Sequence, residues 1–180
     1  MRMPWLIYEN GQVHRFIVPT FLHFGFSHIV ITTLLQLSLG TVIESFMGTG
    51  RFIVYYTLVC IGSNIFGALC SSKYAIGSDP VIFGFLATLF SVMLVYWERI
   101  PGTNCTKVCQ TLMMVMVFIL VAMLLTTSAQ QYSSYTSRVS IIFPDLYGSI
   151  GGFVYGYLAG MMLLPINSSS AGRFGRERII

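Results

Sequence analysis

The chain has 180 residues, of which 55% are hydrophobic and only 9% charged, with a net charge of +4. Soluble domains carry about 25% charged residues, so a water-solvated surface is excluded, and the thinly spread positive charge argues against a nucleic-acid partner. An all-α integral membrane protein of one domain remains, consistent with a mean hydropathy of +0.76.

The opening MRMPWLIYENG lacks the apolar core of a signal peptide and the Arg/Ser-rich pattern of a transit peptide. It reads as a segment on the membrane surface, through residue 26. A spanning helix needs about 20 mainly apolar residues. The first candidate, Ser27–Phe46, is the most polar. Its Thr32, Thr33, Gln36 and Ser38 should face protein and not lipid. His23 and His28 flank its start, and Glu44 and Arg51 its end. A short link, Met47–Arg51, leads to the second candidate, Phe52–Leu69. Cys60 and Cys70 here read as packing residues.

The link Ser71–Asp79 ends at Gly77-Ser78-Asp79-Pro80, where the third candidate, Val81–Trp97, begins. Asp before Pro is a common helix opening, because Asp accepts an orphan backbone N–H and Pro fits the first helical position. The competing reading gives Ser78 or Asp79 nucleophilic or acid–base work beside a histidine. Glu98-Arg99-Ile100-Pro101 closes this span. Cys105 and Cys109 lie four apart with no His or third Cys, which argues against zinc and leaves a disulfide unsupported.

The fourth candidate is Val108–Thr126, followed by a polar surface loop, Ser128–Pro144. The fifth, Tyr147–Leu164, opens on Asp145, a second cap. It repeats glycine every four residues, at Gly148, Gly152, Gly156 and Gly160. Such a stripe lets a neighbouring helix approach to backbone contact, and the third span is the expected neighbour. With alternating helices, His23, His28, Asp79 and Ser149 fall towards one face. That side also carries Arg2, Arg15, Lys73 and Arg138, whereas the other carries Arg51, Arg99, Lys107, Arg173, Arg176 and Arg178. The positive-inside rule places the second side in the cytosol or matrix.

The order HRFIVPTFLHFGFSHIVITTLLQLSLGTVIESFMGTGRF, GSNIFGALC, AIGSDPVIFG and GSIGGFVYGYLAG resembles the rhomboid intramembrane serine proteases, from His14 to Pro165. The resemblance implies a rhomboid-like transmembrane domain over 27–165, a surface segment over 1–26 and a basic tail over 166–180. In that family the nucleophile lies in Gly-x-Ser-Gly, the base in Ala-His-x-x-Gly-x-x-x-Gly, and a His-x-x-x-Asn pair supports the oxyanion. His28 matches the oxyanion-side histidine, and Thr32 stands where its Asn should be. Gly77 matches the first glycine, Ser78 the variable position, Asp79 the nucleophile and Pro80 the last glycine. Gly152 and Gly156 match the glycines of the base motif, so Gly148 falls at its alanine and Ser149 at its histidine.

The resemblance therefore implies a pseudoprotease with a relic site of His28, Thr32, Gly77, Ser78, Asp79 and Ser149. Ser78 lies one residue off the nucleophile position and is expected to lack a base. Only 13 residues precede His14, so the family's first helix is expected to be absent, leaving five. No cofactor or metal is implied. The expected partners are membrane lipids and other transmembrane subunits. The expected setting is a multisubunit complex of the mitochondrial inner membrane, or alternatively the endoplasmic reticulum or another endomembrane.

Overall fold

The computed structural model describes residues 2–23, 25–71, 75–97, 103–133 and 145–164. A short helix, α1 (Pro4–Asn10), ends on Gly11 in the left-handed region at φ 63°. Two 3-10 turns, Val13–Phe16 and Val18–Phe21, lead to α2 (Gly25–Met47). Then follow α3 (Thr49–Cys70), α4 (Asp79–Val95), α5 (Asn104–Ser133) and α6 (Leu146–Leu163). A helix is present at each of the five expected spans. Three of them, α2, α3 and α6, are long and apolar enough to cross a membrane by themselves. α4, with 17 residues, sits at the lower limit for a span.

The link expected at Met47–Arg51 is a single residue, Gly48, at φ 83°. The expected loop Ser128–Pro144 is shorter at its start, because α5 continues to Ser133. Ala129, Gln130 and Gln131 are good helix formers and carry the helix beyond its apolar run. The rest of that loop, Lys73, Arg99, Arg138 and the basic tail 166–180 lie outside the described residues.

α4 is the central helix, and its buried residues include Val81, Ile82, Phe85, Leu86 and Thr88. A helix apolar on all sides is enclosed by its neighbours. One side packs with Ile43, Tyr55 and Val59 of α2 and α3. Another packs with Leu35 and Leu39 of α2 and with Phe118 and Val121 of α5.

The glycine stripe of α6 lies on α4, as its spacing predicts. A Cβ on Gly152 would overlap the carbonyl of Pro80, and one on Gly156 would overlap the backbone of Gly84. One on Gly160 would meet Thr88 at 3.1 Å. The register advances together along both helices, so α4 and α6 run parallel. A chain of hydrogen bonds crosses the seam: Thr88 Oγ1 lies 2.5 Å from Tyr55 Oη and 2.8 Å from the Gly156 carbonyl. Ser91 Oγ donates to the Tyr157 carbonyl at 3.2 Å. α3 covers α6 from the other side in antiparallel register, with Tyr155 over Gly62 and Phe66 over Gly151.

The polar residues of α2 divide. Thr32 is buried, but Thr33 and Ser38 are exposed, against expectation. Ser38 Oγ donates to its own helix at the Leu35 carbonyl, 3.1 Å away, which lets a hydroxyl face lipid without an orphaned donor. Cys60 is buried as expected, whereas Cys70 is exposed.

Gly156→Ala should lower the melting temperature in detergent, since one methyl group must separate two backbones, at a typical overpacking cost of about 1–3 kcal/mol. Gly50→Ala is the control, because an added Cβ there meets nothing within 4 Å. Equal melting of the two variants would remove the seam from its assigned role.

Candidate functional site

The N-terminal ends of α2 and α4 meet at one end of the bundle. Gly77 adopts φ 125°, which turns the chain into α4 and which L side chains rarely adopt. A Cβ at Gly77 would also lie 3.3 Å from His28 Cε1. Gly77 N–H donates to the Pro19 carbonyl at 3.1 Å, which ties the entry of α4 to the turn before α2.

His28 Nε2 lies 3.0 Å from Asp79 Oδ1, and both residues are about 1% exposed. The two groups are thus within the expected reach. The expected cap is absent, however. Ser78 occupies the N-cap position, and no side chain there accepts a backbone N–H. Asp79 is already the first helical residue, and its carboxylate turns to His28. Its Oδ2 has no hydrogen-bond partner among the described residues. Asp145 does cap, accepting from Gly148 N–H at 3.1 Å.

Ser78 corrects a second expectation. Its Oγ lies 3.2 Å from His23 Nε2, so a base is at hand. The rings of His23 and His28 are 5.6 Å apart, centroid to centroid. Burial holds His23 below the ordinary histidine range, and the neighbouring His28 adds to this. A neutral imidazole can accept the serine proton. No group orients it, since His23 Nδ1 lacks a partner among the described residues. Ser78 itself is fully buried.

The other candidates take local roles. Thr32 Oγ1 donates to the His28 carbonyl at 2.7 Å, which commits its one proton to the helix. Ser149 is buried with no partner for its Oγ among the described residues. Its amide donates to the Asp145 carbonyl at 2.8 Å. Cys105 and Cys109 are free and exposed. No metal-binding cluster occurs among the described residues.

Two polar clusters at this end had no signal in the sequence. The Arg2 guanidinium pairs with Asp145 through two bonds of 2.6 and 2.8 Å, with both residues buried. Arg2 also exchanges backbone hydrogen bonds with Ala75 at 2.7 and 3.2 Å, and its guanidinium fills the space over Gly67. Asn64 Nδ2 donates to Thr20 Oγ1 at 3.1 Å, and Thr20 Oγ1 lies 3.1 Å from Cys60 Sγ.

Residues 10–166 match the Rhomboid domain family. The rhomboid protease GluP of Bacillus subtilis (strain 168) is 30% identical over 172 residues, covering 93% of this chain and 29% of the relative. Rhomboid-like protease 2 of Toxoplasma gondii is 24% identical over 171 residues, covering 94% of this chain and 54% of the relative. The chain thus spans about half the length, or less, of these curated relatives.

Asp79→Ala should destabilise the protein by about 1–3 kcal/mol, because it leaves a buried imidazole without its acceptor. Asp79→Asn keeps an acceptor and should cost less. Denaturation in mild detergent ranks the two, and equal losses would mean that the contact with His28 is immaterial.

The His23 shift also gives stability a pH dependence. With the folded-state pKa lowered, the unfolded chain binds the proton first as pH falls. Stability should therefore be full above about pH 6.5 and decline below it. In His23→Gln this component of the decline should vanish from melting curves taken across that range.

Proposed function

The chain belongs to the rhomboid family, and on that premise we propose that it is a non-catalytic member, a pseudoprotease serving as a structural or accessory subunit of a larger membrane assembly. The observation that carries this reading is the buried His28–Asp79 contact of 3.0 Å, formed where the family resemblance puts the nucleophile. A carboxylate there opposes the negative charge that an acyl-transfer transition state develops. Pro80 supplies no backbone N–H to an oxyanion. Thr32 gives its proton to a carbonyl, and Ser149, at the position of the base, has no imidazole. The apolar faces of α2, with Leu34 and Leu37 each 62% exposed, suit lipid or other transmembrane helices.

The Ser78–His23 contact of 3.2 Å favours a second reading, a serine hydrolase with its dyad displaced by one residue. It is the weaker of the two. Ser78 is closed to solvent, and the adjacent Asp79 carboxylate would repel an oxyanion on the acylating serine.

The subunit role fits a fixed-stoichiometry complex, with the mitochondrial inner membrane as its proposed setting. The alternative, a regulatory pseudoprotease that transiently captures transmembrane client helices in the manner of an inactive rhomboid or derlin, would fit the endomembrane system instead. Cell fractionation and co-purification in mild detergent separate these two settings.

The purified chain should remain unlabelled by a fluorophosphonate probe and should not cleave a transmembrane substrate. Asp79→Ser should not restore cleavage. Labelling that is lost in Ser78→Ala and in His23→Gln, together with cleavage, would establish the displaced dyad in its place.

A further inference from the structure

Lys107 is an anomaly at the end of the bundle opposite His28 and Asp79. It is only 7% exposed, yet among the described residues no carboxylate pairs with it. Its ammonium lies 5.7 Å from the centroid of the Trp97 ring. Trp97 in turn lines a cleft of about 650 Å³ between α4 and α5, together with Phe90, Met93, Leu94, Val108 and Leu112. A smaller recess of about 250 Å³ continues past Phe90 to Phe118 and Phe153. At that far end α5 is held by Phe118, edge-on to Phe83 at 5.5 Å and to Phe153 at 5.8 Å.

The cleft therefore ends at Trp97, with the Lys107 ammonium over its ring, on one side and at a wall of rings on the other. From Lys107 to Phe118, at about 1.5 Å of rise per residue, α5 covers about 16 Å. One leaflet of a bilayer has a hydrocarbon depth of about 15 Å, half of the roughly 30 Å core. Trp and Lys are the side chains that settle at the headgroup level. The wall side chains Leu94, Val108 and Leu112 are 46%, 51% and 60% exposed, so the cleft opens sideways towards the membrane.

We infer that this cleft binds one phospholipid with a net negative headgroup. Its phosphate pairs with Lys107 beside Trp97, and an acyl chain lies between α4 and α5 down to Phe118. A zwitterionic lipid fills the apolar part equally well but offers Lys107 no net charge, so the selectivity resides in Lys107. A transmembrane helix, about 10 Å across with its side chains, is too wide to lie between α4 and α5 where Phe118 joins them to Phe83 and Phe153.

The test is native mass spectrometry of the full chain in detergent, offered phosphatidylglycerol and phosphatidylcholine with identical acyl chains. The wild-type chain should retain phosphatidylglycerol over phosphatidylcholine by about fivefold, the ratio expected of one lysine at an anionic membrane surface. Lys107→Gln should retain the two equally. Leu112→Trp should retain neither, with helix content by circular dichroism showing that it has folded. Inorganic phosphate alone should not displace the lipid. Equal retention by the wild-type chain, or an unchanged preference in Lys107→Gln, overturns the inference. So does displacement by phosphate, or a bound transmembrane polypeptide that excludes lipid from the cleft.

Discussion

At Gly152 and Gly156 of α6 only hydrogen atoms stand between that helix and the backbone of α4 at Pro80 and Gly84. Lipid tails are as apolar as the side chains they surround, so hydrophobicity alone gives two helices in a bilayer little reason to associate. Close backbone approach multiplies dispersion contacts and brings carbonyls within reach of hydroxyls. Thr88 and Ser91 exploit that proximity by bonding to the Gly156 and Tyr157 carbonyls. With α4 and α6 held as a parallel pair, α3 closes over α6 and α2 over α4. The site then follows from this packing, since it lies where α4 begins.

The polar end of the bundle answers a different constraint. Each buried charge there has a partner, because an isolated one would be too costly in a medium of low dielectric. Asp145 takes both Arg2 and the first turn of α6. Asp79 takes His28. Such arrangements fix register, as a lone polar residue does in a coiled coil. The His23–Ser78 contact joins them through the adjacent, tilted imidazoles and leaves serine, carboxylate and two histidines within one small volume.

Periodicity was sufficient for the scaffold. Runs of apolar residues located the five long helices, and a four-residue glycine repeat located the α6 seam, because both signals are local. Sequence proximity to Pro80 suggested a cap at Asp79, but tertiary context prevailed: the carboxylate meets the imidazole of His28, 51 residues away, in place of a backbone amide of its own helix. The contacts of His23 with Ser78 and of Arg2 with Asp145 span 55 and 143 residues. No spacing rule connects such positions, and without the folded bundle neither residue carries a mark of its partner. Ser38 shows the converse, a polar residue that looked destined for the interior and is satisfied by its own helix.

The pairing of Arg2 with Asp145 also bears on how the chain is made. A ribosome delivers residue 2 well before residue 145, so the guanidinium that ends up buried must wait through the synthesis of the four long helices between them. Until α6 emerges, Arg2 lacks its native partner Asp145, and α4 presents its open backbone at Gly84 to any passing helix. The nascent bundle thus stays unfastened at both places, and one event, the arrival of α6, closes both. Quality-control machinery that recognises an unpaired guanidinium or an uncovered helix backbone would see a chain arrested before residue 145 as unfinished.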